Sequence, residues 1–309
     1  MSGLAMLILS FYSVNPIVAS ISATCTAQVI TFNNHTEVET EIHCENVGFD
    51  GRSLLKVLQD GPIRDYYYPD KKNYTLSEIA DTVQIIRCYW SYGNITIEEG
   101  DLAQFPNLTY LQFRKLSVYD YRPFLTIQRN EFERTPRLSG LQITGMTLAE
   151  STIEALASLK NQLQSLTLSY SSPGRRLLTT VAEFTSLTYA VDLSGLCEHD
   201  SFPTTTFHNS APTLRSIFMR DCTLPIITRN LFSGMHNLTS LGWSRSNISE
   251  IEPGAFHDLT ALRVLNLSEN KLRDFPMGLF ENTKKLRKLN IKGNELESLL
   301  RENSTYARI

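Results

Sequence analysis

The side chains best suited to chemistry are sparse, and their one compact group is Cys197, Glu198, His199 and Asp200. Thiolate, imidazole and carboxylate groups are the usual ligands of zinc. Four consecutive residues in one loop rarely all reach one ion, and the six histidines show no ligand spacing. The motifs of serine hydrolases, zinc proteases and phosphate-binding loops are missing. We therefore predict no catalytic residues, no metal site, no cofactor and no enzyme activity.

A second chemical pattern is the Asn-x-Ser/Thr acceptor for N-linked sugars, which is used in secreted proteins. It occurs roughly twice as often as the chain's content of Asn, Ser and Thr would give by chance. The acceptors are Asn34, Asn73, Asn94, Asn107, Asn237, Asn247, Asn266 and Asn303. This excess predicts a glycosylated, extracellular protein.

The beginning of the chain agrees with secretion. An apolar run from Leu4 to Phe11 is followed by small residues at 19–23, which predicts a signal peptide over residues 1–23. The run lacks a positively charged start, so a short buried helix or an anchor is the alternative. It is too short before Asn15 for a membrane span. The net charge of -3 argues against a nucleic-acid partner, whose binding surface is normally basic.

Any site must be positioned by a repeat, which is clearest at residues 262–272. This segment reads L-x-x-L-x-L-x-x-N-x-L, the leucine-rich repeat consensus. Leu265 and Leu267 should alternate on a short strand and point inward, while Asn270 turns the chain and hydrogen-bonds the neighbouring coil. Leu262 and Leu272 complete the apolar face. Because one coil cannot bury that face alone, coils must stack.

The pattern recurs at steps of roughly 24 to 30 residues over most of the chain. Further inward pairs are Ile86/Cys88, Leu111/Phe113, Leu141/Ile143, Leu166/Leu168, Val191/Leu193, Ile217/Met219, Leu241/Trp243 and Leu289/Ile291. Leu116 and Val118 are expected inward in their coil. A phenylalanine spine accompanies the repeat, at Phe132, Phe207, Phe232, Phe256 and Phe280. We predict an α/β solenoid: a leucine-rich repeat horseshoe of about nine coils, each with a short parallel strand, preceded by an N-terminal cap.

The repeat also sets the expected domain boundaries. We place the signal peptide at residues 1–23, the cap and first irregular coils at 24–82, the solenoid at 83–300 and a polar tail at 301–309. The tail has no cysteine cluster to seal the last coil, and no later stretch is apolar enough for a membrane helix. We expect a truncated or soluble form.

Five cysteines leave at least one unpaired. Cys44 and Cys88 occupy the same inward position on two strands, so adjacent strands would allow a disulfide between them. The competing pair is Cys25 with Cys44, and the sequence does not settle the connectivity. We favour Cys44–Cys88. We expect Cys222 to be a structural turn residue and Cys197 to lie in a loop.

Residues between the inward positions would line the concave face of a horseshoe. In the N-terminal coils these are Arg87, Tyr89, Tyr110, Gln112 and Arg114. Tyr and Arg are enriched at interface hot spots, so we expect a protein ligand between Val83 and Val118. A glycan on Asn266 would obstruct the C-terminal half of the same face. The alternative is that these residues are merely solvated strand exteriors.

The 24-residue repeats over Leu238 to Leu299, with the cap strands VQIIRC (Val83 to Cys88) and TEIHC (Thr40 to Cys44), resemble the N-terminal part of an arthropod Toll-type receptor ectodomain. The resemblance implies an extracellular module of innate immune or developmental signalling that binds a protein ligand, often a cystine-knot cytokine. It also implies a homodimer, or a heterodimer with another leucine-rich repeat protein. The membrane helix, the C-terminal cysteine cap and the signalling domain of that family are missing, and no ligand contact of the family maps here. The alternative is a secreted leucine-rich repeat protein with a matrix or adhesion role.

Overall fold

The N-terminal segment forms an antiparallel arrangement at one end of a much longer sheet. The computed structural model describes residues 24–31, 38–48, 53–60, 63–65, 73–116, 122–197 and 202–296. The elements before residue 83 are β1 (Thr24–Thr31), β2 (Val38–Gly48), α1 (Leu54–Asp60), β3 (Ile63–Asp65), β4 (Asn73–Tyr74), α2 (Leu76–Ile79) and a 3-10 turn at Ala80–Thr82. β1 is antiparallel to β2 and parallel to β3, and β3 is antiparallel to β4.

From β2 onward the same sheet becomes a parallel ladder. The later strands are β5 (Val83–Tyr92), β6 (Ile95–Ile97), β7 (Tyr110–Lys115), β8 (Phe124–Ile127), β9 (Gly140–Thr144), β10 (Thr147–Leu148), β11 (Ser165–Thr167), β12 (Ala190–Asp192), β13 (Ser216–Arg220), β14 (Ile226–Ile227), β15 (Ser240–Ser244), β16 (Glu250–Ile251), β17 (Val264–Asn266) and β18 (Lys288–Asn290). The main sheet has 13 strands in the order β18-β17-β15-β13-β12-β11-β9-β7-β5-β2-β1-β3-β4. From β2 to β18 this order follows the chain, as expected when each coil stacks on the one before.

The register of the ladder confirms the repeat. Leu265 pairs with Leu241 on one side and with Leu289 on the other. Leu265 and Leu267 are fully buried, and so are Val191 and Leu193 of an earlier coil. Side chains of alternate strand residues point to opposite faces, so one face of the sheet is filled by the core and the other remains open.

Asn270 makes the hydrogen bonds predicted for its turn. Its Oδ1 accepts from the backbone N–H groups of Ser246 and Ile248 at 2.9 and 3.1 Å, and its Nδ2 donates to the carbonyl of Trp243 at 2.8 Å. All three partners belong to the preceding coil. A buried amide satisfied in this way stabilises the stacking of two coils, since unpaired backbone groups there would be costly.

The phenylalanine spine is also present. Phe132, Phe207, Phe232 and Phe256 are 0–1% exposed, and Phe280 packs against the same core while partly exposed. The ring centroids of Phe232 and Phe256 are 6.1 Å apart, and those of Phe256 and Phe280 are 6.0 Å apart. Such separations are typical of favourable aromatic pairs.

The return segments of the coils contain short elements that the repeat pattern does not predict. They are α3 (Glu150–Ser158), α4 (Gly174–Val181), 3-10 turns at Leu102–Gln104, Glu131–Arg134 and His208–Ser210, and two small parallel sheets, β10-β8-β6 and β14-β16. Both helices are amphipathic: α3 buries Ile153 and Leu156, and α4 buries Leu177 and Leu178. They close the side of the core opposite the main sheet.

The cysteine predictions need correction. Cys44 and Cys88 do lie side by side in the parallel register, but Cys88 is a free buried thiol and Cys44 is in a disulfide. The pairing Cys44–Cys88 is therefore wrong. The backbone of Cys25 lies opposite Cys44 in the antiparallel hairpin, as the alternative pairing requires. Cys222 was expected to be an unpaired turn residue, yet it is bonded to Cys197 across a Cα–Cα distance of 4.8 Å.

Leu116 also departs from its expected place, since 48% of its surface is exposed. It follows the last residue of β7, where the chain leaves the repeat template, and so does not turn inward. Val118, the signal-peptide residues 1–23 and the tail at 301–309 lie outside the described residues. Within the described part of the chain, none of the helices has the length and apolar character needed to cross a bilayer.

Candidate functional site

The open face of the main sheet is composed of the strand side chains that alternate with the buried ones. At its N-terminal end, β2, β5 and β7 bring together Glu41, His43, Arg87, Tyr89, Tyr110 and Arg114, which we call the N-terminal patch. His43 lies beside Arg87 in the register, and Tyr89 lies beside Arg114. Neighbouring strands are about 4.8 Å apart, so these side chains form one continuous surface.

Glu41 is the electrostatic centre of the patch. It is only 5% exposed, and a carboxylate with so little solvent must be paired to remain charged. Arg87 forms an ion pair with its Oε1, and His43 Nε2 lies 2.8 Å from the same oxygen. The Arg87 contact is an ion pair by distance, without hydrogen-bond alignment at Oε1, and the His43 contact is one only when the imidazole is protonated. Glu41 therefore fixes the position of the Arg87 guanidinium from below.

Arg87 in turn organises the aromatic part of the patch. Its guanidinium carbon lies 5.3 Å from the centroid of the Tyr110 ring, within the range of a cation–π interaction. The Tyr110 hydroxyl donates a 2.8 Å hydrogen bond to Oε1 of Gln142 on the next strand. Burial raises the pKa of Tyr110, although the positive charge of Arg87 opposes this shift. The phenol therefore stays neutral and remains a hydrogen-bond donor.

Tyr110 can lie flat across its neighbouring strand because residue 140 is glycine. A Cβ at Gly140 would sit 2.5 Å from Cδ2 of the tyrosine ring, closer than side chains can approach. Gly140 pairs with Tyr110 in the register, so the absence of a side chain at residue 140 leaves space for the tyrosine ring. The glycine is therefore required by a close approach.

The remaining patch residues differ in how much of each side chain is exposed to solvent. Tyr89 is half-buried and its ring stacks on that of His43 with a centroid distance of 6.3 Å. Arg114 is exposed and makes no ion pair with any described residue. Gln112 is 5% exposed, so its side chain contributes little surface. The structure thus brings the five predicted residues onto two adjacent strands, with Arg114 the most accessible of them.

Sequence reasoning missed Glu41 and His43 as members of the patch. Their signal was the strict alternation of TEIHC, in which Thr40, Ile42 and Cys44 are buried. In this pattern the residues between must face outward. The segment falls in the predicted cap, where the repeat template does not define an open face.

Sequence reasoning also missed a second set of contacts. These lie just after the C-terminal ends of four successive strands of the main sheet. Tyr170, Gly195, Asp221 and Arg245 occupy equivalent positions in four successive coils, each with a positive φ between 51° and 69°. Only the glycine takes this conformation freely, so the sequence pattern gave little warning. Tyr170 is 39% exposed, and Phe218 on the same face is 43% exposed.

The predicted sugar acceptors occupy varied positions. Asn94, Asn237 and Asn247 are exposed, Asn107 and Asn266 are half-buried, and Asn73 lies in β4. Asn266 is on the open face of β17, as expected from the repeat. Asn34 and Asn303 lie outside the described residues. Attachment of sugars at any of these positions stays a prediction.

Within the described residues there is no group of three or more His, Cys, Asp or Glu placed to hold a metal ion. The residues of the Cys197–Asp200 group after Cys197 lie outside that part of the chain. Two depressions beside Gly254 and His257 have volumes of about 180 and 170 Å³. Sites for small organic ligands are usually about 300 Å³ or more.

Comparison with known families agrees with the ladder. The leucine-rich repeat family model matches residues 237–296, which include β15, β17 and β18. No curated protein matches the chain. The matched coils continue as parallel strands of one sheet back to β2. The match and the long parallel sheet together support a leucine-rich repeat protein with a solenoid-like fold, a class that typically serves protein–protein interaction rather than catalysis.

Proposed function

We propose that the chain is an extracellular recognition module that binds a protein ligand at the N-terminal patch. The observation that carries this proposal is the rigid arrangement of Arg87 and Tyr110 over the buried carboxylate of Glu41. Tyr and Arg contribute most to binding energy when their positions are fixed before the ligand arrives. The adjacent Arg114 and Tyr89 extend the surface toward the C-terminal ends of the same strands.

A protein ligand fits this surface better than a small molecule. The patch is a face of adjacent strands, whereas small ligands are usually bound in deep concave sites. Aromatic and guanidinium groups with partial exposure are typical of the centre of protein interfaces. The exposed Arg114, which lacks an ion-pair partner among the described residues, favours an acidic group on the ligand.

Two observations support the extracellular location. Disulfides persist in oxidising compartments, and Cys197 is bonded to Cys222 while Cys44 is in a second disulfide. The exposed sugar acceptors point to the same compartment.

The finer proposal follows the sequence resemblance. The chain would be an ectodomain similar to those of Toll-type receptors, with residues 24–82 as its cap and about nine stacked coils that present the open face to the ligand. The curvature expected of a horseshoe is not part of this proposal, because the main sheet is not curled. Its ligand would be a protein such as a cystine-knot cytokine, in innate immune or developmental signalling. Two ectodomains, or one with another leucine-rich repeat protein, would assemble around that ligand.

The first test is secretion of the full chain from insect cells. We expect soluble, monodisperse protein in the medium whose mass falls on treatment with an N-glycosidase. Retention of the chain in the cytosol, without added sugar, would contradict the extracellular location.

The second test concerns the patch. The secreted protein is assayed against a panel of cystine-knot cytokines, and any ligand found is then measured with the triple variant Tyr89→Ala, Tyr110→Ala and Arg114→Ala. We expect Kd to rise by about 100-fold or more, because hot-spot residues dominate binding energy. A control triple variant, Thr167→Ala, Ser216→Ala and Ser240→Ala, changes the open face farther along and should bind normally. Unchanged binding by the patch variant would refute the site, and a panel without any ligand would refute the cytokine assignment.

A further inference from the structure

The last matched coil carries a concentration of positive charge that the patch does not use. Lys284, Lys285, Arg287, Lys288 and Lys292 are all exposed, and residues 282–294 contain no acidic residue. The whole chain has a net charge of -3, so this is a local feature and not a consequence of composition. With Arg263 of the preceding coil, we call these residues the basic surface.

Comparison with the coils before it shows that the charge is specific to this coil. Residues 260–268, aligned with 284–292 by the register of β17 and β18, have one basic residue, Arg263, and no acidic one. The positions of Lys284, Lys285, Lys288 and Lys292 hold Thr260, Ala261, Val264 and Ser268 there. The fold therefore requires only the inward residues of this segment. Its positive charges are not needed for folding and must have another role.

The positive charges of the basic surface are not neutralised within the described part of the chain. None of its six members forms an ion pair with a described residue. Two acidic residues close to it in sequence or register have other partners: Glu295 binds Arg273 at 3.2 Å, and Glu269 interacts electrostatically with Arg245. Glu281 precedes the segment and forms no ion pair with a described residue. Exposed cations without counter-charges repel each other, so an anionic partner would relieve a standing electrostatic cost.

The backbone brings three members of the basic surface side by side. The N–H groups of Arg287 and Lys288 both donate to the carbonyl of Arg263, at 2.9 and 3.1 Å. Arg263 and Arg287 are therefore neighbours on adjacent strands, about 4.8 Å apart. Leu286 and Leu289 pack into the core between them. Arg263, Arg287 and Lys288 therefore lie beside one another where β17 and β18 begin.

We propose that the basic surface binds a sulfated polysaccharide. Lys- and Arg-rich segments of five to eight residues are typical of patches for heparin or nucleic acid. Single-stranded nucleic acid is usually held by aromatic side chains that stack on its bases, and the basic surface contains none. A sulfated glycan presents closely spaced anions without bases and therefore matches an array of cations alone. The choice of a glycan over an intracellular polyanion rests on the extracellular location proposed above.

The test uses the full secreted chain and immobilised heparin, with Kd measured over a series of salt concentrations. We expect binding at physiological salt that weakens steeply as salt rises, because bound counterions are released. The variant Arg263→Gln, Arg287→Gln and Lys288→Gln should raise Kd by about ten-fold or more and reduce the slope of log Kd against log salt by about two to three. The matched control, Lys56→Gln, Arg64→Gln and Arg229→Gln, removes as many exposed cations elsewhere and should leave both quantities unchanged.

Three outcomes would overturn the proposal: no binding to heparin at physiological salt, equal weakening by both triple variants, or tighter binding to DNA or to phosphatidylserine vesicles than to heparin. Unsulfated hyaluronan should bind at least about ten-fold more weakly than heparin if sulfate density matters. The outcome is independent of the N-terminal patch, because the variant of Tyr89, Tyr110 and Arg114 should bind heparin as the wild type does. A chain that is never secreted would instead refute the extracellular location.

Discussion

The hydroxyl of Tyr170 donates a 2.6 Å hydrogen bond to Oδ2 of Asp221, although the strand β12 lies between their two coils. The tyrosine reaches this far by crossing Gly195, where a Cβ would lie 2.4 Å from its ring. Arg245 binds the same carboxylate from the other side, with Nε and one terminal nitrogen at 2.7 and 2.8 Å. One edge of the sheet is thus tied together across four coils.

Because the Tyr170 ring crosses Gly195, the stability of the protein should depend strongly on this glycine. Gly195→Ala should lower the free energy of unfolding by about 2–3 kcal/mol, because its φ of 69° disfavours a Cβ and the ring of Tyr170 occupies the space. Chemical denaturation measures the loss. With Tyr170→Ala in the background the clash is removed, so Gly195→Ala should then cost only about 1 kcal/mol. Strictly additive losses in the double variant would show that the ring does not lie over residue 195.

The same contact predicts a pH dependence. Burial alone would raise the pKa of Asp221, but the hydrogen bonds and charge of Arg245 and the Tyr170 hydroxyl outweigh it and lower the pKa below its ordinary value. The folded pKa is therefore below the unfolded one. The stability contributed by this carboxylate is present above about pH 3.9 and is lost as pH falls through the folded pKa. We expect the stability difference between wild type and Asp221→Asn to shrink between pH 6 and pH 3.

The tyrosine provides an independent check on that pH effect. Burial, with the hydrogen bond and charge of Asp221, raises the pKa of Tyr170 to about 12. Asp221→Asn should lower this pKa, as measured by the absorbance of tyrosinate during a base titration. A stability difference that stays constant with pH, together with an unshifted tyrosine, would contradict the contact.

The repeat part of this fold could be predicted from sequence because it follows a local rule. The sequence of a single coil indicates which of its residues point inward. Stacking of the coils then places Leu241, Leu265 and Leu289 in one row. The close approaches of the Tyr110 ring to Gly140 and of the Tyr170 ring to Gly195 could not be predicted from the sequence. They depend on which residue faces which across a coil, at positions where the consensus permits any side chain.

The cysteines and the N-terminal patch show a second limit. Cys44 and Cys88 are neighbours as the template requires, but an antiparallel strand that breaks the template places Cys25 opposite Cys44 as well. The spacing of the cysteines along the sequence does not show which of these two neighbours would bond to Cys44. For the same reason Glu41 and His43 were overlooked, since they belong to a strand that pairs with the cap on one side and the solenoid on the other.

Asn270 should be among the most sensitive polar residues of the solenoid. Asn270→Ala leaves the N–H groups of Ser246 and Ile248 and the carbonyl of Trp243 unpaired in the core, so unfolding should become easier by about 3 kcal/mol or more. Asn290→Ala is the matched control, because Asn290 is exposed and its side chain accepts one hydrogen bond within its own turn. Similar melting temperatures for the two variants would contradict the role of the buried amide.

A charge placed on the inward face should be far more damaging than one on the open face. Leu265 is fully buried in β17, so Leu265→Asp would place an unpaired carboxylate in the core and cost about 4 kcal/mol or more. Ser244→Asp puts the same side chain on the open face of β15 and should change stability by about 0.5 kcal/mol at most. Thermal unfolding of the secreted proteins compares them, and equal losses would mean that the two faces are wrongly assigned.

Cys88 offers the sharpest test of the disulfide pattern. Its thiol is completely buried, and burial raises its pKa to about 12, so at pH 8 the thiol remains protonated and unreactive. Iodoacetamide should therefore leave the native protein unmodified and label Cys88 once guanidinium exposes it. Peptide mapping of the labelled, unreduced chain should also recover Cys197 linked to Cys222. A label on Cys25, with Cys44 linked to Cys88, would instead restore the pairing that the repeat pattern alone suggested, and would contradict the free thiol at Cys88.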